Sequence, residues 1–425
     1  MGVSSNKLNS RNYQLMVLLL LSLVTGLFLV SGCKPRQIVV APTPKPAEPV
    51  KPPVVEEVKE PVKEEKISWN IVLMMPFSLE KNFAEPEISE DQQEPIIELS
   101  SLPALHCYEA ALLAADSLKK LNRDVKIVAM ESPEDSLSLA RTMISKQVKE
   151  SDFIFATLPN TLSNAAAQLA QKNNVNLILT QAGTPAVLDN APNSVIANAS
   201  TTTQIKEMVK YMLSTYTNAN IILVFRNTKR EDEMAAVFRQ EVLKSKGTSD
   251  FRDLNATEKP YKDIVNLLSK TKRNLVFIVS SDEAFVNPML SLIEAQDIFG
   301  VYVSGLPTWQ NFESINFMGF KNTQVFLFDY NFIDYDAPAV KLFRQKFIST
   351  YHNDPLPVSY TVFDIILGVG KKDKKSNQKL KFSELNTTLP NYHFTETGSG
   401  SGYENSSISV LQFNDYKLEK INSGK

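Results

Sequence analysis

The sequence predicts an α/β protein whose working body is two doubly wound lobes, each a parallel sheet covered by helices on both faces. Three observations predict it. From Ile67 onward, short apolar runs alternate with stretches of helical period, which is the pattern of β-α-β units. After roughly 120 residues the pattern restarts, as two successive compact lobes require. The chain is 425 residues long and 43% hydrophobic, more than one core absorbs, since single cores stop growing near about 250–300 residues.

The elements follow in order. Lys7 and Arg11 precede an apolar run from Leu15 to Val30, the charged start and apolar middle of an export signal. The run falls short of the roughly 20 residues that span a bilayer. It ends in Leu29-Val30-Ser31-Gly32-Cys33, which resembles the lipobox of bacterial lipoproteins. That resemblance implies cleavage after residue 32 and a diacylglycerol on Cys33. A myristoylation signal is not met, because position six is Asn6. Lys34, where inner-membrane lipoproteins carry Asp, favours the outer membrane by the same resemblance. Residues 34–66 hold eight prolines among Lys, Glu and Val. Proline fixes φ and removes backbone donors, so this stretch reads as an extended spacer reaching up to about 100 Å. The division expected is therefore 1–32 signal peptide, 33–66 lipidated cysteine and linker, and a body from 67.

In the body, Asn70–Met75, Val125–Met130, Phe153–Ala156, Val175–Leu179 and Val195–Ala197 read as strands. Between them, Tyr108–Leu121, Pro133–Lys149 and Leu162–Lys172 read as helices. The second series alternates helices (203–214, 232–246, 261–270, 282–296) with strands (220–225, 275–279, 300–304). One larger sheet is the alternative that periodicity leaves open.

Composition excludes several functions. The chain carries 45 basic and 47 acidic residues, a net charge of −2, without the basic stripe of a nucleic-acid binder. Of two cysteines, Cys33 is committed to lipid, so Cys107 has no disulfide partner in the chain. His106, His352 and His393 are scattered, outside any metal-ligand spacing, and no cofactor is expected. The chain shows neither a Gly-x-Ser-x-Gly elbow nor a phosphate loop; Gly398-Ser399-Gly400-Ser401-Gly402 reads as a flexible turn. The protein is expected not to be an enzyme.

The order of these pieces resembles the type I periplasmic binding proteins, the leucine-binding and receptor-ligand-region fold. It is most similar to the Bacteroidetes-type envelope lipoproteins of ABC-transporter substrate-binding type. The resemblance rests on Ile71-Val72-Leu73-Met74-Met75-Pro76-Phe77, on Tyr108 to Leu118, on Phe225-Arg226-Asn227-Thr228 with Glu231-Asp232-Glu233, on Gly305 to Trp309, and on Gly402 to Ser406. Where those relatives often carry a LysM module, this chain has the proline spacer. The resemblance implies a three-strand hinge, with crossings near Ser200–Thr203, near Ser304–Leu306 and between Lys371 and Leu389. Lobe 1 would then hold 67–202 and 305–375, and lobe 2 would hold 203–304 and 380–425, with Ser407–Phe413 returning to lobe 2. It also implies a lipid-anchored, periplasm-facing receptor for an amino acid or other small polar ligand, closing on it at the hinge and serving an ABC permease. The other reading is a non-catalytic scaffold or regulator of cell-wall synthesis that uses the same body to hold a protein or peptidoglycan partner.

In open α/β sheets, ligands sit beyond the carboxyl ends of strands. That rule selects Phe77 and Ser78, Asn160 and Thr161, and Gln181, Ala182, Gly183 and Thr184 in the first lobe. In the second it selects Arg226, Asn227, Ser281 and Asp282, with Trp309 past the second expected crossing. In amino-acid-binding relatives the loop matching Gln181–Thr184 holds the ligand carboxylate and amine. Plainer roles compete: capping for Asn160, Thr161, Ser281 and Asp282, a pair with Glu231 or Asp232 for Arg226, a turn for Gly183 and core burial for Trp309.

Overall fold

The computed structural model describes residues 67–83, 97–245, 250–315, 320–373, 381–389, 392–414 and 417–421. The signal, the Cys33 motif and the proline spacer lie outside the described residues.

In chain order the strands are β1 (Ile67–Met75), β2 (Arg123–Glu131), β3 (Phe153–Ala156), β4 (Asn176–Leu179), β5 (Ser194–Ile196), β6 (Asn220–Phe225) and β7 (Phe251–Asn255). They continue as β8 (Asn274–Ile278), β9 (Val301–Gly305), β10 (Thr323–Asp329), β11 (Phe394–Glu396), β12 (Tyr403–Asn405), β13 (Ser409–Asn414) and β14 (Lys417–Lys420). They form two sheets of seven strands. The first runs β11-β12-β5-β4-β3-β1-β2 and the second β14-β13-β10-β9-β8-β6-β7. The consecutive β-α units pair in parallel, and among the described residues antiparallel pairing enters at β11–β12, β10–β13 and β13–β14. The single-sheet alternative is excluded.

The first sheet shows why its strands read as unbroken apolar runs. Side chains alternate faces along a strand. Ile71, Leu73 and Met75 of β1 point into one core and Val72 and Met74 into another. The first core meets the buried alanines of α1 (Leu102–Lys119), which bring that helix close. The second meets Leu139 and Met143 of α2 (Ser136–Met143) and Ala166, Ala167 and Ala170 of α3 (Asn160–Asn173). Burial on both faces puts hydrophobic residues at successive positions in Ile71–Met75, β3 and Leu177–Leu179, as parallel sheets require, while β2 at the sheet edge stays half exposed and mixed. One contiguous core holds the second sheet between α4 (Thr201–Thr215), α5 (Lys229–Lys244) and α6 (Glu283–Glu294).

Several expected boundaries shift. The 133–149 helix is two, because Asp135 caps one start and Ser145 caps another. The 261–270 helix shrinks to a short turn at Tyr261–Asp263 and Ile264–Leu267, since Pro260 and the following polar run leave little to propagate. The structure adds β7, β10, α7 (Pro338–Tyr351) and α8 (Pro357–Gly370), which the sequence reading did not assign.

The crossings differ more. The first falls just before Ser200, close to expectation. The second is not at Ser304–Leu306. β9 turns through Pro307–Asn311 and returns as β10, which pairs parallel to β9 in the same sheet, so the chain leaves the second sheet only after Asp329. The third is not between Lys371 and Leu389. β11 and β12 extend the first sheet beside β5, and the chain crosses between Asn405 and Ser409. Residues 323–329 therefore sit with lobe 2 rather than lobe 1, and 394–405 with lobe 1 rather than lobe 2. The return of the last apolar strand to the second sheet is as expected.

Two crossings are tied to the first lobe by side chains. Glu404 on β12 is 3% exposed; it accepts from the Ser200 backbone N–H at 2.5 Å and from the Thr203 hydroxyl at 2.7 Å. Asn331, just past β10, accepts from Tyr392 at 3.3 Å and from Thr361 at 3.4 Å. The Gly398–Gly402 loop is no free turn. It closes the β11–β12 hairpin, Gly402 donates to the Leu188 carbonyl at 2.9 Å, and a Cβ there would lie 2.3 Å from the Ser194 carbonyl oxygen.

Candidate functional site

The carboxyl ends of β1, β2, β3 and β4 surround a hollow of about 680 Å³ in the first lobe. Each wall has a local cause. Ser78 turns the chain after β1 through a left-handed conformation (φ 53°). Glu131, the last residue of β2, accepts the Leu79 N–H at 3.0 Å and so fixes the short Leu79–Asn82 helix above the sheet. Ser132 donates to the Thr157 carbonyl at 2.6 Å, joining the ends of β2 and β3. The Thr157 and Thr180 hydroxyls bond at 2.9 Å. Asp135 accepts from Leu137 and Ser138 at 2.7 and 2.8 Å, which caps α2 and lowers the carboxyl's pKa. Gln181 closes the wall beyond β4.

Of the residues selected from sequence, the hollow gathers Ser78 and Gln181. Asn160 and Thr161 are exposed in the first turn of α3, whose N-cap is Pro159 and carries no side-chain cap, so capping does not account for them. Gly183 faces Asn160, with 3.6 Å from a Gly183 Cβ position to the Asn160 amide nitrogen. Ala182 packs against the core beneath, and the Thr184 hydroxyl caps the Pro185–Leu188 turn through Ala186. Phe77 is 6% exposed and its ring belongs to the first lobe's core rather than to the wall of the hollow.

The second lobe's residues are largely spent on one another. Arg226 donates to Glu231 at 2.6 Å, to Asp282 at 2.7 Å and to Ser280 at 3.1 Å, and lies over the Phe285 ring at 4.7 Å. Ser280 in turn donates to Glu231 at 2.9 Å. The Arg226 guanidinium holds the Asp282 carboxyl below the usual carboxylate range, and Asp282 also caps α6. Asn227 takes the Asn255 amide and donates to Glu258, and Ser281 accepts from Thr308. Trp309 is corrected as a ligand cover. It is fully buried, donates to the Ser280 carbonyl at 2.8 Å, and lies against Gly305, where a Cβ would come within 2.3 Å of the ring.

Glu131, Ser132, Asp135 and Thr157 were missed. The signal was available, because the strand-end rule applies equally to the loop after β2. No group of three or more His, Cys, Asp or Glu side chains able to hold a metal occurs among the described residues.

Two seven-stranded α/β lobes linked by three crossings, with a hollow over the strand ends, make this the type I periplasmic binding fold. The solved structures agree. A putative branched-chain amino acid ABC transporter protein from Rhodospirillum rubrum superposes with a TM-score of 0.61 at 12% identity, over 84% of this chain and 99% of that one. A branched-chain amino acid ABC transporter periplasmic ligand-binding protein from Burkholderia xenovorans gives 0.56 at 13% identity, over 84% and 94%. Haemophilus influenzae LpoA gives 0.54 at 11% identity, over 84% of this chain and 59% of that one. No family model matches the chain. No curated protein matches it either.

Proposed function

We propose that this chain is a lipid-anchored receptor of the cell envelope that binds a small polar solute between its lobes and passes it to an ABC permease. The observation that carries this reading is the hollow over the first sheet. Its volume of about 680 Å³ falls within the roughly 300–1,000 Å³ of small-molecule sites. Ser78, Ser132, Thr157 and Gln181 supply polar groups at its wall. The hinge ties at Glu404 and Asn331 support a body that moves as two lobes. The Cys33 motif supports the anchor, and Lys34 the outer membrane. The site performs binding, with no catalytic step assigned to it.

A second reading, a scaffold or cell-wall-synthesis regulator, is favoured by one observation. The strand-end polar groups of the second lobe are paired internally, which leaves that face little to offer a solute. Thermal-shift screening against amino acids, muropeptides and small anions separates the two. Saturable stabilisation by a small compound supports the receptor, by mass action. No shift with any compound supports the scaffold.

A further inference from the structure

We infer that β2, the outer strand of the first sheet, is an interface between two copies of this chain, which join edge to edge about a two-fold axis at Ile127. Among the described residues β2 pairs with β1 alone, and none of its nine residues is buried. It is nevertheless apolar over most of its later length: Val125, Ile127, Val128, Ala129 and Met130 lie half-buried or exposed. Sheet edges are ordinarily kept short, charged or covered, because an open row of N–H and C=O groups invites pairing. The matching edge of the second sheet follows that rule, since β7 has five residues and exposes Arg252 and Asp253. β2 is long and apolar instead.

The strand's own pattern selects a second copy as the occupant. The Ser132 N–H donates to the Met75 carbonyl at 2.9 Å, and Met75 lies beside Glu131 in the ladder. Alternate residues of a strand turn their N–H and C=O to the same side. Lys126, Val128 and Met130 therefore face β1 with Ser132, while Arg123, Val125, Ile127, Ala129 and Glu131 present theirs to the open edge. Two copies related by a two-fold axis set these strands antiparallel. With the axis at Ile127, Ile127 opposes its own copy, Val125 opposes Ala129, and Arg123 opposes Glu131. Every outward residue then meets an outward residue, and each end of the ladder places a guanidinium across from a carboxylate, which stabilises such pairs. Arg123 gives one nitrogen to Asp373 at 2.9 Å and Glu131 one oxygen to the Leu79 N–H at 3.0 Å, so both keep further bonding capacity. On the other face Lys126 falls opposite Val128, two residues from Asp124 of its own strand, and no lysine directly opposes a lysine.

The test is disulfide trapping of the full-length protein in its own membranes, with the wild type, whose Cys107 is buried, as background. In Ile127→Cys the paired Cα atoms lie about 5.5 Å apart, the spacing of a hydrogen-bonded antiparallel pair and within disulfide reach. Lys126→Cys, at a more exposed position, stands about 8 Å from its copy, because that copy is two residues further along the partner strand. Mild oxidation is expected to trap Ile127→Cys as a dimer and to leave Lys126→Cys monomeric. Ala129→Pro removes an outward donor without touching the β1 ladder, and it serves if the first variant does not fold. It is expected to raise the dimer dissociation constant about 30-fold or more in sedimentation of the purified protein, as two lost bonds imply, with the melting curve of the wild type. Equal trapping of both cysteines, trapping of neither, or association unchanged by Ala129→Pro overturns the inference and leaves the receptor reading standing.

Discussion

Removing the Glu404 carboxylate tests whether the first crossing is a held joint or a loose strand. Glu404 and Ser200 are 3% and 2% exposed, so water does not replace a lost bond between them. In Glu404→Ala the Ser200 N–H loses its acceptor, at a cost of about 1–3 kcal/mol for a buried unsatisfied donor. The Thr203 hydroxyl loses its bond to Oε2, about 1 kcal/mol more. It recovers part of this by turning to Ser200 Oγ, 3.4 Å away. Removing a buried carboxylate also removes its desolvation cost, which offsets some of the loss. The net expected is about 2–3 kcal/mol. Glu404→Gln keeps one carbonyl oxygen for Ser200 and should cost about 1 kcal/mol. Urea unfolding followed by circular dichroism measures both, and hydrogen exchange at the Ser200 amide localises the effect. A loss of about 2–3 kcal/mol corresponds to exchange faster by roughly 30- to 150-fold. If both variants unfold at the wild-type midpoint and Ser200 exchange is unchanged, the joint is not held by Glu404.

Further outcomes follow from other sites. Gly402→Ala drives a Cβ against the Ser194 and Ala191 carbonyl oxygens, at 2.3 and 2.7 Å, and should lower stability by about 2 kcal/mol or more in thermal melts. Gly400→Ala, with φ +75° but open space, should cost only about 1 kcal/mol. His106 accepts the Leu356 N–H on Nδ1 at 3.2 Å, and burial pushes its pKa below the ordinary 6.5. A histidine with a lowered folded-state pKa contributes stability that is complete above the ordinary value and is lost as pH falls through the folded one. Wild type should therefore lose stability on acidification from pH 7 to about 5, and His106→Asn should flatten that slope; a slope unchanged in the variant contradicts the assignment. Cys33→Ser should shift the protein from the detergent to the aqueous phase on phase partitioning, and retention in detergent would refute lipidation at Cys33.

The sequence exposed what is set by local periodicity. β1, β3 and β6 are buried on both faces, so their apolar runs are continuous and their limits easy to read. Capped starts were less visible: Ser145 looks like any helical surface residue until its hydroxyl is seen accepting from Val148. The late crossings were illegible because they depend on which sheet edge a strand joins. Tyr403–Asn405 is only three residues long, and its place beside β5 comes from Gly402 approaching the Ser194 carbonyl. The strand-end rule found Ser78 and Gln181 but not Glu131 and Ser132, since it was not applied to the second strand. It also selected Arg226 and Trp309; the Glu231 pair and the burial of Trp309 were the plainer readings open from sequence, while Asp282 and Ser280 as further partners become visible only in three dimensions.

The account depends on the hollow over β1–β4 being the solute site. Gln181 lies at its wall and is exposed, so Gln181→Trp fills the space from outside the core with little expected effect on folding. The direct measurement is the ligand-dependent rise in melting temperature of wild type and Gln181→Trp, using a compound that stabilises the wild type. At about 100 times its dissociation constant, the wild type should gain about 2.7 kcal/mol and the variant almost nothing. An equal gain in both proteins would place the solute elsewhere and contradict the account.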